Sequence, residues 1–328
     1  MQKIKLWNGK QVPRVGMGCW AIGGTTNNEG PSASYGDVNE ADARAGLNHA
    51  YEMGARLFDT AASYGAGRSE SFVGDEISKH EDAVIVTKFG YPVDDVKRLV
   101  SAEDVSPAAI EKVIDGSRRR LKRDKLDLVL LHLNNYPTEK AKPVFDCLDE
   151  LVAKGKIEAY GWSSDGAEGL ADYVERPHFV AFENDLNLFT PATEVMKLAA
   201  ENNILSISRL PLAMGLLTGK YRPKDRVAAN DVRAQGFDWV RFFKDGQPSE
   251  EYIQKMDMLR DLLCVDGRTL AQGALSWILA YSANALPVPG FKTMAQAEEN
   301  FATATFDLYS STTMLDIGAM LASFDYQE

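Results

Sequence analysis

The sequence contains three short apolar segments that each end on a chemically capable side chain: RLFDT at residues 56–60, VIVTK at 84–88 and LDLVLLH at 126–132. The side chains are Asp59, Lys88 and His132, and Tyr64 follows Asp59 in the loop DTAASYG. Short, almost wholly apolar runs are typical of strands that are buried on both faces. In a (β/α)₈ barrel the carboxyl ends of such strands meet at one face, which carries the catalytic residues. The pattern predicts that the four residues gather at one rim of a barrel.

Apolar segments and helical segments alternate along the whole chain. The predicted parallel strands span residues 15–20, 56–60, 84–89, 126–132, 157–163, 179–186, 204–210 and 285–289. Of the helical segments between them, one ends at Gly54 and another begins with Ser106 as N-cap and Pro107 at the first helical position. The alternation predicts an α/β fold, a (β/α)₈ TIM barrel in which residues 1–328 form one domain.

Two segments stand outside this alternation. Asn8-Gly9 separates KIKLW from KQVPRV, which predicts a β-hairpin with a type I′ turn that caps the barrel. Residues 211–250 form a long irregular stretch rich in Gly, Pro, Asp and Arg. A loop of this length inside a compact fold is usually functional, so we expect it to cover the site.

The composition narrows the partners to small molecules. The net charge of −11 gives no general attraction for nucleic acid or an anionic membrane, and no segment reaches the roughly 18 apolar residues of a membrane span. The three cysteines, Cys19, Cys147 and Cys264, are odd in number and widely spaced, which supports neither a disulfide framework nor a zinc site. We therefore expect a cytoplasmic protein, and the oligomeric state stays open.

Three familiar signals have simpler explanations. GMGCWA at residues 16–21 fits a loose dinucleotide fingerprint, but a polar loop follows it where a Rossmann fold requires a helix. The basic run RRRLKRDK at residues 118–125 falls at a helix C-terminus, where cations complement the helix dipole. The four histidines show no H-E-x-x-H pairing and no G-x-S-x-G motif is present, so neither a metal site nor a serine hydrolase is predicted.

The four rim residues make chemical sense as a group, although each alone has an ordinary structural role. A lysine that an aspartate holds as a cation can lower the pKa of a neighbouring tyrosine by some 1 to 3 units. We expect Lys88 and Asp59 to act on Tyr64 in this way, which would make Tyr64 a proton donor. His132 would orient the oxygen that receives the proton.

With these four residues in their local motifs, the chain resembles the aldo-keto reductases. FDTAASYGAGRSE, VIVTKFG and LDLVLLH resemble the Asp, Tyr, Lys and His motifs of that family, and VGMGCW, GWSS, LPLAMGLLTGKY and PVPGFKTMAQAEEN extend the resemblance over nearly the whole chain. The resemblance implies reduction of an aldehyde or ketone with NADPH, in which Tyr64 is the general acid. The catalytic residues would be Asp59, Tyr64, Lys88 and His132.

The resemblance also implies a set of cofactor-binding residues. At the nicotinamide end they are Trp20, Asp59, Ser163, Ser164, Glu183 and Arg209; around the pyrophosphate Leu212, Gly215 and Lys220; and at the adenosine end Gly290, Lys292, Gln296, Glu299 and Asn300. Pro211 and Arg233 complete the set. Lys292 occupies the position that faces the adenosine 2′-phosphate, which predicts a preference for NADPH over NADH.

The sequence departs from the family at three of these positions. Ser163-Ser164 stands where Ser-Asn is frequent, Glu183 replaces the usual Gln, and Arg209 replaces a stacking aromatic residue. A buried carboxylate needs compensation, so we expect Arg209 to be the counter-ion of Glu183. Glu183 would accept a hydrogen bond from the nicotinamide carboxamide.

The substrate and two alternative functions stay open. Asn134 and Asn135, beside an apolar wall of Trp20 and the segment GFDWVRFF at residues 236–243, indicate a small to medium aldehyde with neighbouring hydroxyls or an aromatic ring; that segment could equally be a loop core. A cofactor-binding regulatory subunit on the same fold would keep the cofactor loops without turnover. An aldolase would use Lys88 as a Schiff base, against which its pairing with Asp59 argues.

Overall fold

The computed structural model describes residues 1–324. In chain order the strands are β1 (Lys3–Lys5), β2 (Gln11–Pro13), β3 (Met17–Gly18), β4 (Leu57–Asp59), β5 (Val84–Phe89), β6 (Val93–Asp94), β7 (Leu99–Val100), β8 (Leu126–Leu131), β9 (Ile157–Ser163), β10 (Phe179–Asp185), β11 (Leu205–Arg209), β12 (Phe243–Lys244), β13 (Gln247–Pro248) and β14 (Ala285–Pro287). The helices are α1 (Trp20–Gly23), α2 (Glu40–Met53), α3 (Arg68–Glu76), α4 (Pro107–Leu121), α5 (Thr138–Ala153), α6 (Ala167–Ala171), α7 (Thr193–Asn202), α8 (Glu250–Leu263), α9 (Leu270–Tyr281), α10 (Met294–Ala302) and α11 (Ser311–Phe324).

Eight of these strands form one parallel sheet in the order β14-β11-β10-β9-β8-β5-β4-β3. A parallel bridge between Gly18 and Gly290 joins its two ends, and Gly16 N donates to Pro287 O at 3.0 Å beside it. The predicted (β/α)₈ barrel is therefore confirmed, each strand lying within a few residues of its predicted range. Closure requires a glycine at position 18, because a Cβ there would lie 2.4 Å from the main-chain oxygen of Val288.

The side chains alternate between the barrel interior and the surrounding helices, as parallel strands dictate. Leu57, Val86 and Ile207 point inward and form the barrel core, whereas Phe58 and Ile85 point outward and pack with the helices. This alternation directs the next inward residue of β4, β5, β10 and β11 toward the carboxyl end of the barrel interior. Those residues are Asp59, Lys88, Glu183 and Arg209.

Local signals set the helix ends, and those at Gly54 and Ser106 lie where the sequence indicated. Asn39 caps α2 by accepting from Ala41 N at 2.9 Å, and α2 ends at Gly54 in the left-handed region. Ser106 caps α4, with Pro107 as its first residue. None of the helices in residues 1–324 is both long and apolar enough to cross a membrane.

The N-terminal hairpin closes the amino end of the barrel. Lys10 Nζ donates to Glu81 O at 2.7 Å just before β5, and Leu6 packs into the barrel core. The predicted type I′ turn is wrong, because the positive φ that it needs at two residues occurs at Gly9 (81°) and not at Asn8. The turn hydrogen bond runs from Gly9 N to Leu6 O, so Gly9 follows the turn in the left-handed region.

Candidate active site

Asp59 and Lys88 form a buried ion pair at the carboxyl end of the barrel. Lys88 Nζ lies 2.7 Å from Asp59 Oδ1 and 2.8 Å from Oδ2, and it also donates to the main-chain oxygen of Thr60 at 2.9 Å. The two side chains are 0% and 5% exposed, Lys88 first. Buried charges are tolerated when they are paired and hydrogen-bonded in this way.

Tyr64 lies beside this pair because the loop after β4 follows a tightly packed path. Lys88 Nζ donates to Tyr64 Oη at 3.2 Å. Gly65, with a φ of 61°, approaches Gly23 so closely that a Cβ would lie 2.0 Å from its carbonyl oxygen. The contact fixes the loop that presents the phenol to the ammonium.

Burial raises the pKa of the Tyr64 phenol above its ordinary value, although the Lys88 ammonium opposes this change. The carboxylates of Asp59 and Glu183 act in the same direction as burial. The expectation that Lys88 lowers this pKa below 10 is therefore wrong, because desolvation of the phenolate outweighs the ammonium. Tyr64 is protonated at neutral pH and holds a proton that it can donate.

Lys88 stays charged despite its burial. Desolvation disfavours the cation, but the carboxylates of Asp59 and Glu183 outweigh it and raise the pKa of Lys88. Burial, reinforced by Glu183, raises the pKa of Asp59 to about 7, against the effect of Lys88. A Schiff base requires a neutral amine, so a hydrogen-bonded ammonium argues against the aldolase alternative.

His132 follows β8 and reaches the same space. Ser63 Oγ lies 3.4 Å from His132 Nδ1, and the rings of Tyr64 and His132 meet edge to face with centroids 5.7 Å apart. Burial lowers the pKa of His132 well below its ordinary value, and the charges of Lys88 and Arg209 add to this effect. A neutral imidazole is therefore present, which can donate a hydrogen bond without carrying a charge.

Glu183 is a second carboxylate at Lys88. It is 2% exposed, and its Oε1 lies 3.4 Å from Lys88 Nζ. Its Oε2 is a buried acceptor that finds no hydrogen-bond partner within residues 1–324. Buried polar atoms are almost always paired, so this oxygen in the cavity wall needs a donor from a bound ligand or water.

Arg209 binds two aspartates at the rim, and the predicted Arg209–Glu183 pair is therefore wrong. Arg209 Nε donates to Asp185 Oδ1 at 2.8 Å, and its Nη2 donates to Asp165. Arg241, from the long loop, donates to Asp185 Oδ2 at 3.0 Å. These two arginines and two aspartates, the rim cluster, are neutral as a group. Asp185 is the last residue of β10 and Asp165 follows β9 in the next loop, so both lie at the rim, where the Arg209 guanidinium reaches them.

The rim cluster contains residues that sequence reasoning missed. Asp185 lies two positions after Glu183 and so on the same face of β10, a spacing that the sequence already displays. Arg241 lies in a loop, where no periodicity assigns a contact. The same holds for Tyr35, whose ring packs against Trp20 with centroids 4.7 Å apart.

A cavity of about 1370 Å³ opens at the carboxyl ends of the strands, with Asp59, Tyr64 and His132 in its wall. The predicted cofactor residues that also line it are Trp20, Glu183, Arg209, Pro211, Leu212, Gly215, Lys220, Arg233, Gly290, Lys292, Gln296, Glu299 and Asn300. Ser163 and Ser164 are not among the residues that line it, and the Ser163 hydroxyl accepts from Arg209 Nη1 at 3.4 Å. The Ser164 hydroxyl donates to Asn134 O at 2.9 Å and accepts from Gly166 N at 3.2 Å, so it secures a loop.

The segment predicted to wrap the pyrophosphate has an unusual backbone. Ala213 and Met214 have φ values of 47° and 56°, in the region that residues other than glycine rarely adopt. Arg233 holds the segment, since its guanidinium donates to Met214 O at 2.9 Å and to Asp231 Oδ2 at 2.6 Å. Strain of this kind concentrates at ligand sites. The hydrogen bonds of Arg233 thus shape the loop, and its side chain also lines the cavity.

Lys292 and Gln296 stand at the opposite end of the cavity. Lys292 Nζ donates to the main-chain oxygens of Tyr35 at 2.5 Å and Asp37 at 3.0 Å. Gln296 Oε1 accepts from Lys292 N at 2.8 Å. The hydrogen-bond partners of the ammonium are neutral, so its charge is available to an anion.

The segment GFDWVRFF divides between the two roles considered for it. Phe237 and Trp239 line the cavity, and Trp239 lies 6.1 Å from Trp20 between ring centroids. Phe242 and Phe243 are 2% and 4% exposed and form part of the loop core. One half of the segment is therefore a wall of the cavity and the other half supports it.

Known proteins are similar to this chain in sequence and in architecture. The family model described as "Aldo/keto reductase family" matches residues 14–320. Aldo-keto reductase yakc of Schizosaccharomyces pombe, whose name specifies NADP(+), is 29% identical over 311 residues, covering 92% of this chain and 86% of the relative. The NADH-specific methylglyoxal reductase of Escherichia coli is 29% identical over 321 residues, covering 93% of each chain.

A solved structure, the glycerol dehydrogenase of Gluconobacter oxydans, superposes with a TM-score of 0.80 at 25% identity and covers 98% of this chain and 95% of its own. The barrel, the rim residues and the cavity thus occur in a chain whose sequence matches the family model over nearly its full length. The chain belongs to the aldo-keto reductase family of oxidoreductases.

Proposed function

We propose that the protein reduces an aldehyde or ketone to an alcohol with NADPH, with Tyr64 as the general acid. The observation that carries this proposal is the Tyr64 phenol, which is protonated and lies 3.2 Å from the Lys88 ammonium in the cavity wall. A positioned acid of this kind protonates the oxygen of a carbonyl as its carbon receives a hydride.

Each of the four proposed catalytic residues has a distinct part in this reaction. His132 donates a hydrogen bond to the carbonyl oxygen and aligns it with Tyr64, which transfers its proton to that oxygen. Lys88 stabilises the phenolate that remains on Tyr64. Asp59 fixes the Lys88 ammonium through both carboxylate oxygens.

The cavity residues suit a nicotinamide cofactor. NADPH supplies the hydride that the carbonyl carbon receives. Glu183 Oε2, the buried oxygen without a partner, suits the amide N–H of the carboxamide group. Ser163 is the register partner of Glu183 on β9, and its hydroxyl, which accepts from Arg209 Nη1, keeps its own hydrogen for the carboxamide oxygen once the cofactor is bound.

The direct test follows NADPH absorbance with a panel of aldehydes, ketoses and aryl ketones. We expect consumption of NADPH together with formation of the matching alcohol. Tight binding of NADPH without turnover of any carbonyl would instead favour the regulatory alternative.

We propose a small to medium aldehyde or ketone with an aromatic ring as the substrate. Trp20, Phe237 and Trp239 supply apolar walls beside Tyr64. The hydroxyl-rich option loses support, because the Asn134 amide already donates to Asp165 Oδ2 at 3.1 Å and accepts from Asp165 N at 2.8 Å. Turnover confined to aliphatic polyhydroxy carbonyls would contradict the aromatic assignment.

We further propose that Lys292 selects NADPH over NADH. Its ammonium faces the cavity and its hydrogen-bond partners are two carbonyl oxygens, so it can pair with the 2′-phosphate that NADH lacks. One of the two relatives is named for NADP(+) and the other for NADH, so membership of the family alone does not decide which cofactor is used.

Lys292→Ala is expected to weaken the binding of NADPH by roughly tenfold and that of NADH by less than about threefold, because a charge-assisted contact to the 2′-phosphate is lost. Lys220→Ala is the matched control. Lys220 lines the cavity at the predicted pyrophosphate segment, and pyrophosphate is common to both cofactors, so both affinities should fall together. The measurement is the dissociation constant of each cofactor by fluorescence titration. An equal loss of both cofactors in Lys292→Ala would refute the assignment.

A further inference from the structure

The charges at the floor of the cavity do not balance. One ammonium, Lys88, faces two buried carboxylates, Asp59 at 2.7 Å and Glu183 at 3.4 Å. Above about pH 7, to which burial raises the pKa of Asp59, the formal sum for the three ionised groups is one excess negative charge. A buried unit charge acts strongly on a neighbouring ligand, since little water screens it.

The surrounding groups leave this excess uncompensated. The Lys88 ammonium has three N–H bonds, and it donates to Asp59, to the main-chain oxygen of Thr60 and to Tyr64. Lys88 therefore attracts the Glu183 carboxylate electrostatically but donates no hydrogen bond to it. Arg209 lies within electrostatic reach of Glu183, but its guanidinium is already shared by Asp165 and Asp185 in the neutral rim cluster.

We propose that Glu183 discriminates between the two redox states of the cofactor. Its carboxylate strengthens the binding of NADP⁺ relative to that of NADPH, and an uncharged residue at this position would not do so. This inference rests on the proposed function, because it assumes that the nicotinamide end of the cofactor lies at Glu183. It assigns to this chain's carboxylate a role that a glutamine at the same position cannot have.

The physical basis is the charge of the nicotinamide ring. The ring is cationic in NADP⁺ and neutral in NADPH, whereas the phosphates are common to both forms. At an effective dielectric constant near 20, the Coulomb attraction of a carboxylate for a cation corresponds to roughly a thousandfold in affinity at about 4 Å and to roughly tenfold at about 12 Å. A glutamine keeps the hydrogen-bond acceptor of Glu183 but removes this attraction.

The consequence is that the enzyme-bound reaction is biased toward carbonyl reduction. Carbonyl reduction transfers a hydride from the cofactor to the carbonyl carbon and a proton from Tyr64 to the oxygen, so the nicotinamide ring gains its positive charge in this direction. Glu183 stabilises the state in which that charge is present. For this two-electron couple, each tenfold preference lowers the reduction potential of the bound cofactor by about 30 mV.

The test measures dissociation constants of NADP⁺ and NADPH for the wild-type protein and Glu183→Gln by isothermal titration calorimetry. A pH of about 8.5 keeps Asp59 ionised, since burial raises its pKa to about 7. We expect the ratio of the NADP⁺ constant to the NADPH constant to rise about tenfold or more in Glu183→Gln. Glu183→Asp, which keeps the charge, should stay within about threefold of the wild-type ratio.

Glu299→Gln is the matched control, because it removes one carboxylate from the adenosine end of the same cavity. Its ratio should equal that of the wild-type protein, whatever happens to the two affinities. An unchanged ratio in Glu183→Gln, with both cofactors still bound, would overturn this inference and leave the proposed function intact. Failure of the wild-type protein to bind either cofactor would overturn both.

Discussion

Tyr64→Phe is expected to lower kcat for carbonyl reduction by about 10²- to 10⁴-fold or more, the usual contribution of a general acid. The substitution removes the one oxygen that carries the transferable proton and keeps the ring. Because the hydroxyl acts mainly in the transition state, the dissociation constant of NADPH should change by less than about threefold. Steady-state kinetics and cofactor titration measure the two quantities separately.

Tyr91→Phe is the matched control for this experiment. Tyr91 lines the same cavity and meets the His132 ring at 6.0 Å between centroids, yet it has no contact with Lys88 like that of Tyr64. Its loss should change kcat by less than about tenfold. A Tyr64→Phe variant that retained wild-type kcat would remove Tyr64 from the reaction.

Lys88→Met is expected to abolish activity and to lower the free energy of unfolding by about 3–5 kcal/mol, the usual cost of removing one partner of a buried ion pair. Here the cost is incurred at two carboxylates, since Asp59 and Glu183 are 5% and 2% exposed and both face Lys88. Chemical denaturation monitored by circular dichroism gives the free energy of unfolding for variant and wild type.

The pH dependence of this loss identifies its cause. Without the ammonium, the folded-state pKa of Asp59, which burial already raises to about 7, rises further above its unfolded value near 4. Groups with raised folded-state pKa values contribute stability at low pH and lose it as pH rises. The deficit of Lys88→Met should therefore shrink as the pH falls from about 8 to about 5. The double variant with Glu183→Gln should recover part of the deficit, and a deficit that is constant with pH would indicate a packing defect instead.

The sequence by itself determined the barrel and the four residues at its rim. Hydrophobic periodicity is local, so the apolar runs before Asp59, Lys88 and His132 specify strands without knowledge of their neighbours. Parallel strands then direct their carboxyl ends to one face. The helix boundaries at Gly54 and Ser106 follow from capping, which is likewise local, and the resemblance supplied the residues that line the cavity.

The tertiary structure alone decided the partners and the ionisation of these groups. Arg209 was expected to bind Glu183, but Asp165 and Asp185, brought near it from two neighbouring strands, bind its guanidinium instead. Which acceptor a long side chain reaches depends on distances that a one-dimensional sequence does not contain. The Asn8-Gly9 turn differed for a related reason, since the dipeptide allows more than one type of turn and only the folded hairpin shows which of them forms.

The pKa of Tyr64 shows the same division most clearly. The sequence placed a tyrosine, a lysine and an aspartate in one site, and that composition alone predicts a lowered pKa. The folded protein removes water from the phenol and adds Glu183 beside Lys88, so the pKa is raised instead. Desolvation is a sum over every group that surrounds an atom. The sequence therefore determines which chemical groups meet at the rim, and only the packed structure decides their charge.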